Sequence, residues 1–415
     1  MLDIKLFREN PEIIKESEKK RFKDPSVVDK VIEFDNKWRE RLNKIQKLRQ
    51  EKNEISRLIA KGKKSEDLIV KASKIDEKIS NLNKEIQFLK NERDAYRYKI
   101  GNIIDDSVPV APTEDGNEII RTVGKIRDFN FDLKGHAELV ERFAELKRAS
   151  KISGARTYYL KGDLVLLNLA LIEFAIRKLI KKKFLPMWTP FFMNKKYMRG
   201  AAELSDFEET LYKLEGEDSY LIATSEQTLA SLHSEEVLDE KELPLKYCGI
   251  STCFRKEAGS HGKDTKGIFR VHQFEKVEQF VFCKPDQSWK IFEELVKNME
   301  EIFQELKIPY RIVNIASGEL NDNASKKYDL EAWFPAQGKY RELGSCSNCT
   351  DFQARKLNIK FGKYGGKKEF VHTLNSTAIA TERTISCILE NYQQKDGSII
   401  VPSVLRKFVG KDVLE

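Results

Sequence analysis

Between residues 27 and 60 the chain has no Gly or Pro, and its apolar positions recur mostly every three or four residues: Val31, Phe34, Trp38, Leu42, Ile45, Leu48, Ile55 and Leu58. That spacing predicts one long helix. Lys61-Gly62-Lys63-Lys64-Ser65 interrupts it. Ser65 followed by Glu66 and Asp67 predicts a new helix start, with a capping oxygen and acids facing the positive end of the helix dipole. A second series runs Leu68, Ala72, Ile75, Ile79, Leu82, Ile86, Leu89, Arg93, Tyr96, Ile100. Its alternating steps of four and three form a heptad seam, broken only by Arg93. Two long helices with one short connection must fold back antiparallel, so 27–100 is expected to be a coiled-coil hairpin. The following GNIIDDSVPVAPTEDGNE is rich in turn formers, has prolines at 109 and 112, and reads as a linker. From about residue 160 strand-like and helical runs alternate irregularly, without the regular helical crossovers of a parallel sheet. The expected fold class is α+β, a mostly antiparallel sheet flanked by helices.

The stretch 254–280, FRKEAGSHGKDTKGIFRVHQFEKVEQF, predicts two antiparallel strands joined by a long mobile loop. Arg255 and Glu257, two apart, should share a strand face, as should Arg270, His272 and Phe274. Guanidiniums, a carboxylate and an aromatic plate on one surface suit a nucleotide triphosphate. The loop 260–267 could move over a ligand. No GxxxxGK[ST] phosphate loop occurs, which argues against a P-loop enzyme.

Charge adds a second partner. Of a net +8, residues 27–100 carry +7, from 20 Lys+Arg against 13 Asp+Glu, whereas residues 101–415 hold 47 of each. An electrostatic partner such as nucleic acid should therefore meet the hairpin, although a charged hairpin can also be only a solvated coiled coil or an oligomerisation device. There is no apolar run near 18 residues, so no membrane span is expected. The N-terminus lacks the apolar centre of a secretory signal, and the six unevenly spaced cysteines do not look like a disulfide framework. A cytoplasmic location is expected.

These stretches together resemble the seryl-tRNA synthetases among class II aminoacyl-tRNA synthetases. Residues 254–280 look like motif 2 of that class, WTPFF at 188–192 resembles motif 1, and LNSTAIATERTISCILENYQQKDGSIIVPSVLR at 374–406 resembles motif 3. ATSEQT at 223–228 is similar to the family's serine-binding loop, and RELGSCSNCTDFQAR at 341–355 to its phosphate-side loop. The hairpin matches the family's tRNA-binding arm. The resemblance implies an N-terminal tRNA-binding domain at 1–105 and a catalytic domain at 106–415 with a six- or seven-stranded antiparallel sheet. It also implies a homodimer formed through motif 1. The implied reaction activates L-serine with ATP to seryl-adenylate and passes the seryl group to tRNA(Ser), with tRNA(Sec) an alternative second acceptor.

Roles follow from the same resemblance, position by position. Arg255 clamps the serine carboxylate against the α-phosphate, where two anions must approach. Glu257 reads the adenine edge, Phe274 stacks on the ring and Val271 offers backbone contacts. Phe274 as plain core is the competing reading. Arg383, near the start of the motif 3 helix, takes the γ-phosphate. Glu342 and Ser345 hold Mg2+, whose hardness suits oxygen ligands. Thr224 and Glu226 face the serine ammonium, Glu278 accepts its hydroxyl, and Asn375 and Thr377 close the pocket. Gly344 and Ser376 depart from the commoner family pattern. Cys346 and Cys349 form a C-x-x-C without a matching second pair, so no metal besides magnesium is expected. An amino-acid ligase acting on a protein carrier would lack the basic hairpin. A non-catalytic RNA-binding relative would lose Arg255, Glu342 or Arg383.

Overall fold

The computed structural model describes all of the chain except residues 63–65, 204–206, 208–209, 259–263, 265 and 364. Two compact units emerge, Met1–Gly101 and Asn102–Glu415.

The first unit is helical: α1 (Ile4–Glu9), α2 (Pro11–Lys20), α3 (Ser26–Ala60) and α4 (Glu66–Arg97), with α3 and α4 antiparallel. All ten predicted seam positions from Leu68 to Ile100 are buried or half-buried, and most of the residues between them are exposed. The break at Arg93 has a partner. Arg93 donates to Asp35 at 3.1 Å and lies 4.9 Å over the Trp38 ring, while Arg8 grips the same carboxylate at 2.7 and 2.9 Å. Two guanidiniums outweigh burial and hold the Asp35 carboxyl below its ordinary range. Leu58 is 40% exposed, contrary to its place in the predicted series, and Ile59 takes the half-buried position, one step of four after Ile55. The predicted cap Ser65 lies outside the described residues. Ion pairs Arg41–Glu85, Lys52–Asp76 and Lys71–Glu51 cross the hairpin at 2.8, 2.5 and 2.8 Å.

The second unit is built on eight strands: β1 (Glu118–Val123), β2 (Leu185–Trp188), β3 (Leu245–Phe254), β4 (Gln273–Cys283), β5 (Tyr310–Asn314), β6 (Lys326–Phe334), β7 (Lys339–Asn348) and β8 (His372–Ala380). Their order is β1-β5-β6-β7-β8-β4-β3-β2, and all neighbours are antiparallel except β2 and β3. Six or seven antiparallel strands were expected; seven are present, and the parallel edge strand β2 makes an eighth. The parallel pair is possible because the long connection 189–244 separates β2 from β3. Edge strand β1 is mostly exposed and carries no alternating pattern that would mark it. The supposed linker is partly built in. Asn102 donates to the carbonyls of Asn323 and Cys349 at 3.0 and 2.9 Å, and Ile104 and Val108 pack with Val313, Ile315 and Leu320.

Helices α5 (Asp163–Lys181), α7 (Ser288–Glu305) and α8 (Thr381–Tyr392) cover the sheet through Leu164, Leu171, Leu295, Phe303, Ile385 and Ile388, packed on Val277, Val281 and Leu330. The short α6 (Ser225–Ser231) packs against β3 and β4. Gly249 permits this, since a Cβ there would come within 2.7 Å of Leu229 and Ser225. Among the described residues no helix is long and apolar enough to cross a membrane.

Candidate active site

A cleft of about 560 Å³ opens between the ends of β3 and β4, the middle of β7 and β8, and the start of α6. Its wall brings together Thr224, Glu226, Arg255, Glu257, Val271, Phe274, Glu342, Ser345, Asn375, Thr377 and Arg383. Of the residues assigned from the sequence, only Glu278 lies behind that wall.

One end is amide-rich and closed. Thr224 caps α6, its hydroxyl accepting from the Glu226 amide at 3.2 Å. The Glu226 carboxylate accepts from Asn375 and Gln353, each at 3.0 Å. Burial, helped by repulsion from Glu278, pushes the Glu226 carboxyl up to about 7. Glu278 is 1% exposed, and burial raises its carboxyl despite Lys276, whose Nζ lies 2.5 Å from Oε2. That oxygen makes no aligned hydrogen bond. Lys276 itself lines the cleft. It was not singled out, although the strand period of two places it between Phe274 and Glu278 on one face. Gln353 carries no such signal, because it arrives on a separate helix, Phe352–Leu357.

In the middle, Arg255 Nε donates to the Ala223 carbonyl at 3.3 Å and its guanidinium lies 5.0 Å over the Phe274 ring. Phe274 is both core and wall, since it packs against the main core and also lines the cleft. Glu257 pairs with Arg270 at 2.7 Å. The expected shared strand faces are corrected here. β3 ends at Phe254 and β4 begins at Gln273, because the Lys256 amide leaves the pair for the Thr210 carbonyl and the His272 amide for that of Arg156. Glu257 adopts φ +53°, a left-handed turn that redirects its side chain. Of the loop 260–267, residues 260–263 and 265 lie outside the described residues. Asp264 pairs with Arg341 at 2.5 Å.

The other end carries charge. Glu342 and Ser345 are three apart and would face opposite sides of a regular strand. A register shift in β7 between Glu342 and Gly344 turns both into the cleft. Gly344 lies against β8, where a Cβ would meet Met299 at 2.9 Å and Thr377 at 3.1 Å. Ser376 is buried and absent from the cleft wall, so its departure from the family pattern does not alter the lining. Arg383 Nη1 donates to the Glu342 carboxylate and carbonyl, each at 3.2 Å. Burial of Glu342 is outweighed by Arg383, Lys327 and Arg255, which hold its carboxyl well below the usual range, while 44% of its side chain remains open. An ionised, accessible carboxylate beside a hydroxyl is a donor set that fits a hard divalent cation. Cys346 and Cys349 are buried with thiols pushed well up by burial, and no group of three metal-ligating side chains occurs among the described residues.

Comparisons with known proteins identify the family. Residues 1–104 match the family model of the seryl-tRNA synthetase N-terminal domain, and residues 210–392 that of the tRNA synthetase class II core domain (G, H, P, S and T). A Methanosphaera stadtmanae protein named serine--tRNA ligase is 56% identical over the whole of both chains. An Arabidopsis thaliana protein named serine--tRNA ligase, cytoplasmic, is 48% identical over 99% of this chain and 95% of its own. The crystal structure of seryl-tRNA synthetase from Pyrococcus horikoshii complexed with ATP superposes with a TM-score of 0.95 at 46% identity, covering 100% of this chain and 99% of that one.

Proposed function

The chain belongs to the seryl-tRNA synthetase family, and from that premise we propose how its cleft divides the work of ligating serine to tRNA with ATP. A serine carboxylate oxygen attacks the α-phosphorus, the bond to pyrophosphate breaks, and seryl-adenylate forms. The 3′-terminal hydroxyl of tRNA then attacks the seryl carbonyl and AMP leaves. The observation that carries the division is one cleft with a guanidinium at its centre, a carboxylate–amide pocket at one end and a cationic end beyond.

Arg255 sits where carboxylate and α-phosphate must meet. Glu257 and Val271 border the adenine, and Phe274 supplies its stacking surface. Arg383 meets the terminal phosphate. Mg2+ held by Glu342 and Ser345 would neutralise phosphate charge. Thr224 and Glu226 take the serine ammonium, Asn375 and Thr377 close over it, and Glu278 takes the hydroxyl from beneath. The basic hairpin carries tRNA(Ser). The motif 1 edge is the dimer contact, supported by Trp188, Leu185 and Leu169, which are 75%, 56% and 56% exposed on the touching elements β2 and α5. The name of the Arabidopsis thaliana relative supports a cytoplasmic location. Incubation with ATP, tRNA and each of serine, threonine and alanine tests the whole reading: serine alone should become acid-precipitable with tRNA, and failure to charge tRNA with serine would overturn it.

Two outcomes are specific to the serine pocket. An ammonium favours ionised Glu226, and its carboxyl is neutralised below about 7. So kcat/KM for serine falls as pH drops through about 7. Glu226→Gln should be slower and lose that limb, and an unchanged limb in the variant would remove Glu226 from the role. Glu278→Ala should lower the preference for serine over alanine by at least ~10²-fold while KM for ATP changes little, because a buried group built to pair with a hydroxyl rejects analogues lacking it. Equal discrimination in parent and variant would assign the hydroxyl to another residue.

A further inference from the structure

A buried acid with no part in the scheme above lies next to Arg383. Glu382 is 1% exposed in the first turn of α8. Tyr158 donates to its Oε1 at 2.5 Å, and its Oε2 accepts from the Glu275 backbone amide at 3.1 Å and from Thr381 Oγ1 at 3.0 Å. The same Thr381 hydroxyl, with one proton to share, lies 3.3 Å from the Glu275 carbonyl, and Asn168 Nδ2 reaches the Glu275 carboxylate at 3.5 Å. Three elements therefore converge on one carboxyl: the segment before α5, strand β4 and helix α8. A buried polar network in which both oxygens are occupied defines one arrangement and penalises others.

We propose that Glu382 is a positioning residue, which seats the first turn of α8 on β4 so that Arg383 faces the phosphate end of the cleft. This rests on the reading of Arg383 given above. The connection is direct in the chain: Arg383 follows Glu382, meets Glu342 at 3.2 Å and lies 5.2 Å over the Phe269 ring. A small shift of that turn would misplace the guanidinium. The Glu275 side chain also faces the Glu382 carboxyl. The groups facing Glu382 are Tyr158, Glu275 and the uncharged Thr381, with Asn168 behind Glu275. Burial, then Glu275, holds the Glu382 carboxyl well above its ordinary range, and burial with both carboxylates holds the Tyr158 hydroxyl up as well. The sign follows: the seat is intact while Glu382 is protonated, and loosens as pH rises and Glu382 ionises in its buried position beside Glu275.

The test is serine-dependent pyrophosphate exchange with ATP varied, then serine varied, across pH. Glu382→Ala should raise KM for ATP on the order of 10-fold or more, with KM for serine close to the parent's. Glu382→Gln, which keeps an acceptor, should restore most of the loss, and Tyr158→Phe should raise KM for ATP less than Glu382→Ala. KM for ATP should climb toward alkaline pH in the parent and stay flatter in Glu275→Gln. An unchanged KM for ATP in Glu382→Ala, or equal rises for ATP and serine, would overturn the proposal. If Glu382→Ala does not fold, identical alkaline responses in the parent and Glu275→Gln overturn it instead. A parent without serine-dependent exchange would retire the activity reading itself, which is a separate result.

Discussion

Arg255→Ala lowers serine-dependent pyrophosphate exchange by ~10²–10³, with the protein still folded, since loss of one donor aimed at transition-state charge costs about that much. The reason is electrostatic. The reaction brings a carboxylate onto a phosphate, and both start negative. The cleft wall also carries Glu226, Glu257 and Glu342, so the repulsion is not relieved by a uniformly positive surface. Arg255 is held by the Ala223 carbonyl and the Phe274 ring, which fixes the plane of its fork. A lysine there would keep the charge but lose the two-pronged geometry, so Arg255→Lys should recover little. Because Arg255 lines the cleft and is not among the residues of the main core, its removal should leave thermal unfolding close to the parent's. Exchange near the parent rate in Arg255→Ala would take the carboxylate–phosphate clamp away from this residue.

Shortening the hairpin separates the two half-reactions. The structure shows where to cut. The base of α3 and α4 is tied to α1 through Asp35, Arg8, Arg93 and the Arg97 contact to the Leu2 carbonyl at 2.7 Å, so removing the whole hairpin would strip the core from that unit. Excising 42–86 and closing the helices with a short Gly-containing turn preserves the base. It removes 12 Lys+Arg against 7 Asp+Glu, and none of the residues that line the cleft. Lysine and arginine along a rod contact RNA through backbone phosphates and shape. Pyrophosphate exchange should stay within a few-fold of the parent. Charging should lose ~10²-fold in kcat/KM for tRNA, equivalent to about 2.7 kcal/mol of phosphate contacts, and the remaining activity should depend less steeply on salt. Unchanged charging would leave the hairpin as a structural coiled coil.

How far the sequence carried differs from element to element. The second helix of the hairpin was legible to the residue, because a seam of period 3.5 is a local property that tertiary contacts did not override. In the first helix Leu58 was misplaced, since Ile59 is as apolar and the pattern alone does not choose between neighbours. Asp35 was missed because a buried acid is intelligible only beside Arg8 and Arg93, distant in sequence. The cleft shows the same division. Arg255, Phe274 and Thr224 stood out in short motifs. That Glu342 and Ser345 face one way depends on a bulge, which no period-two argument supplies. Gln353, Lys327 and Tyr158 reach the site or its supports from separate elements, and single-sequence spacing holds no trace of that. The roles of individual cleft residues came from resemblance to a family; the structure contributes their convergence.

Amino-acid-dependent ATP–pyrophosphate exchange, run on the full-length protein with each of the twenty amino acids in turn, tests the central claim most directly. Exchange with serine should run far above that with every other amino acid and fall by ~10²–10³ in Arg255→Ala. Exchange that ignores the amino acid, prefers another one, or stays near the parent rate in Arg255→Ala would contradict that claim.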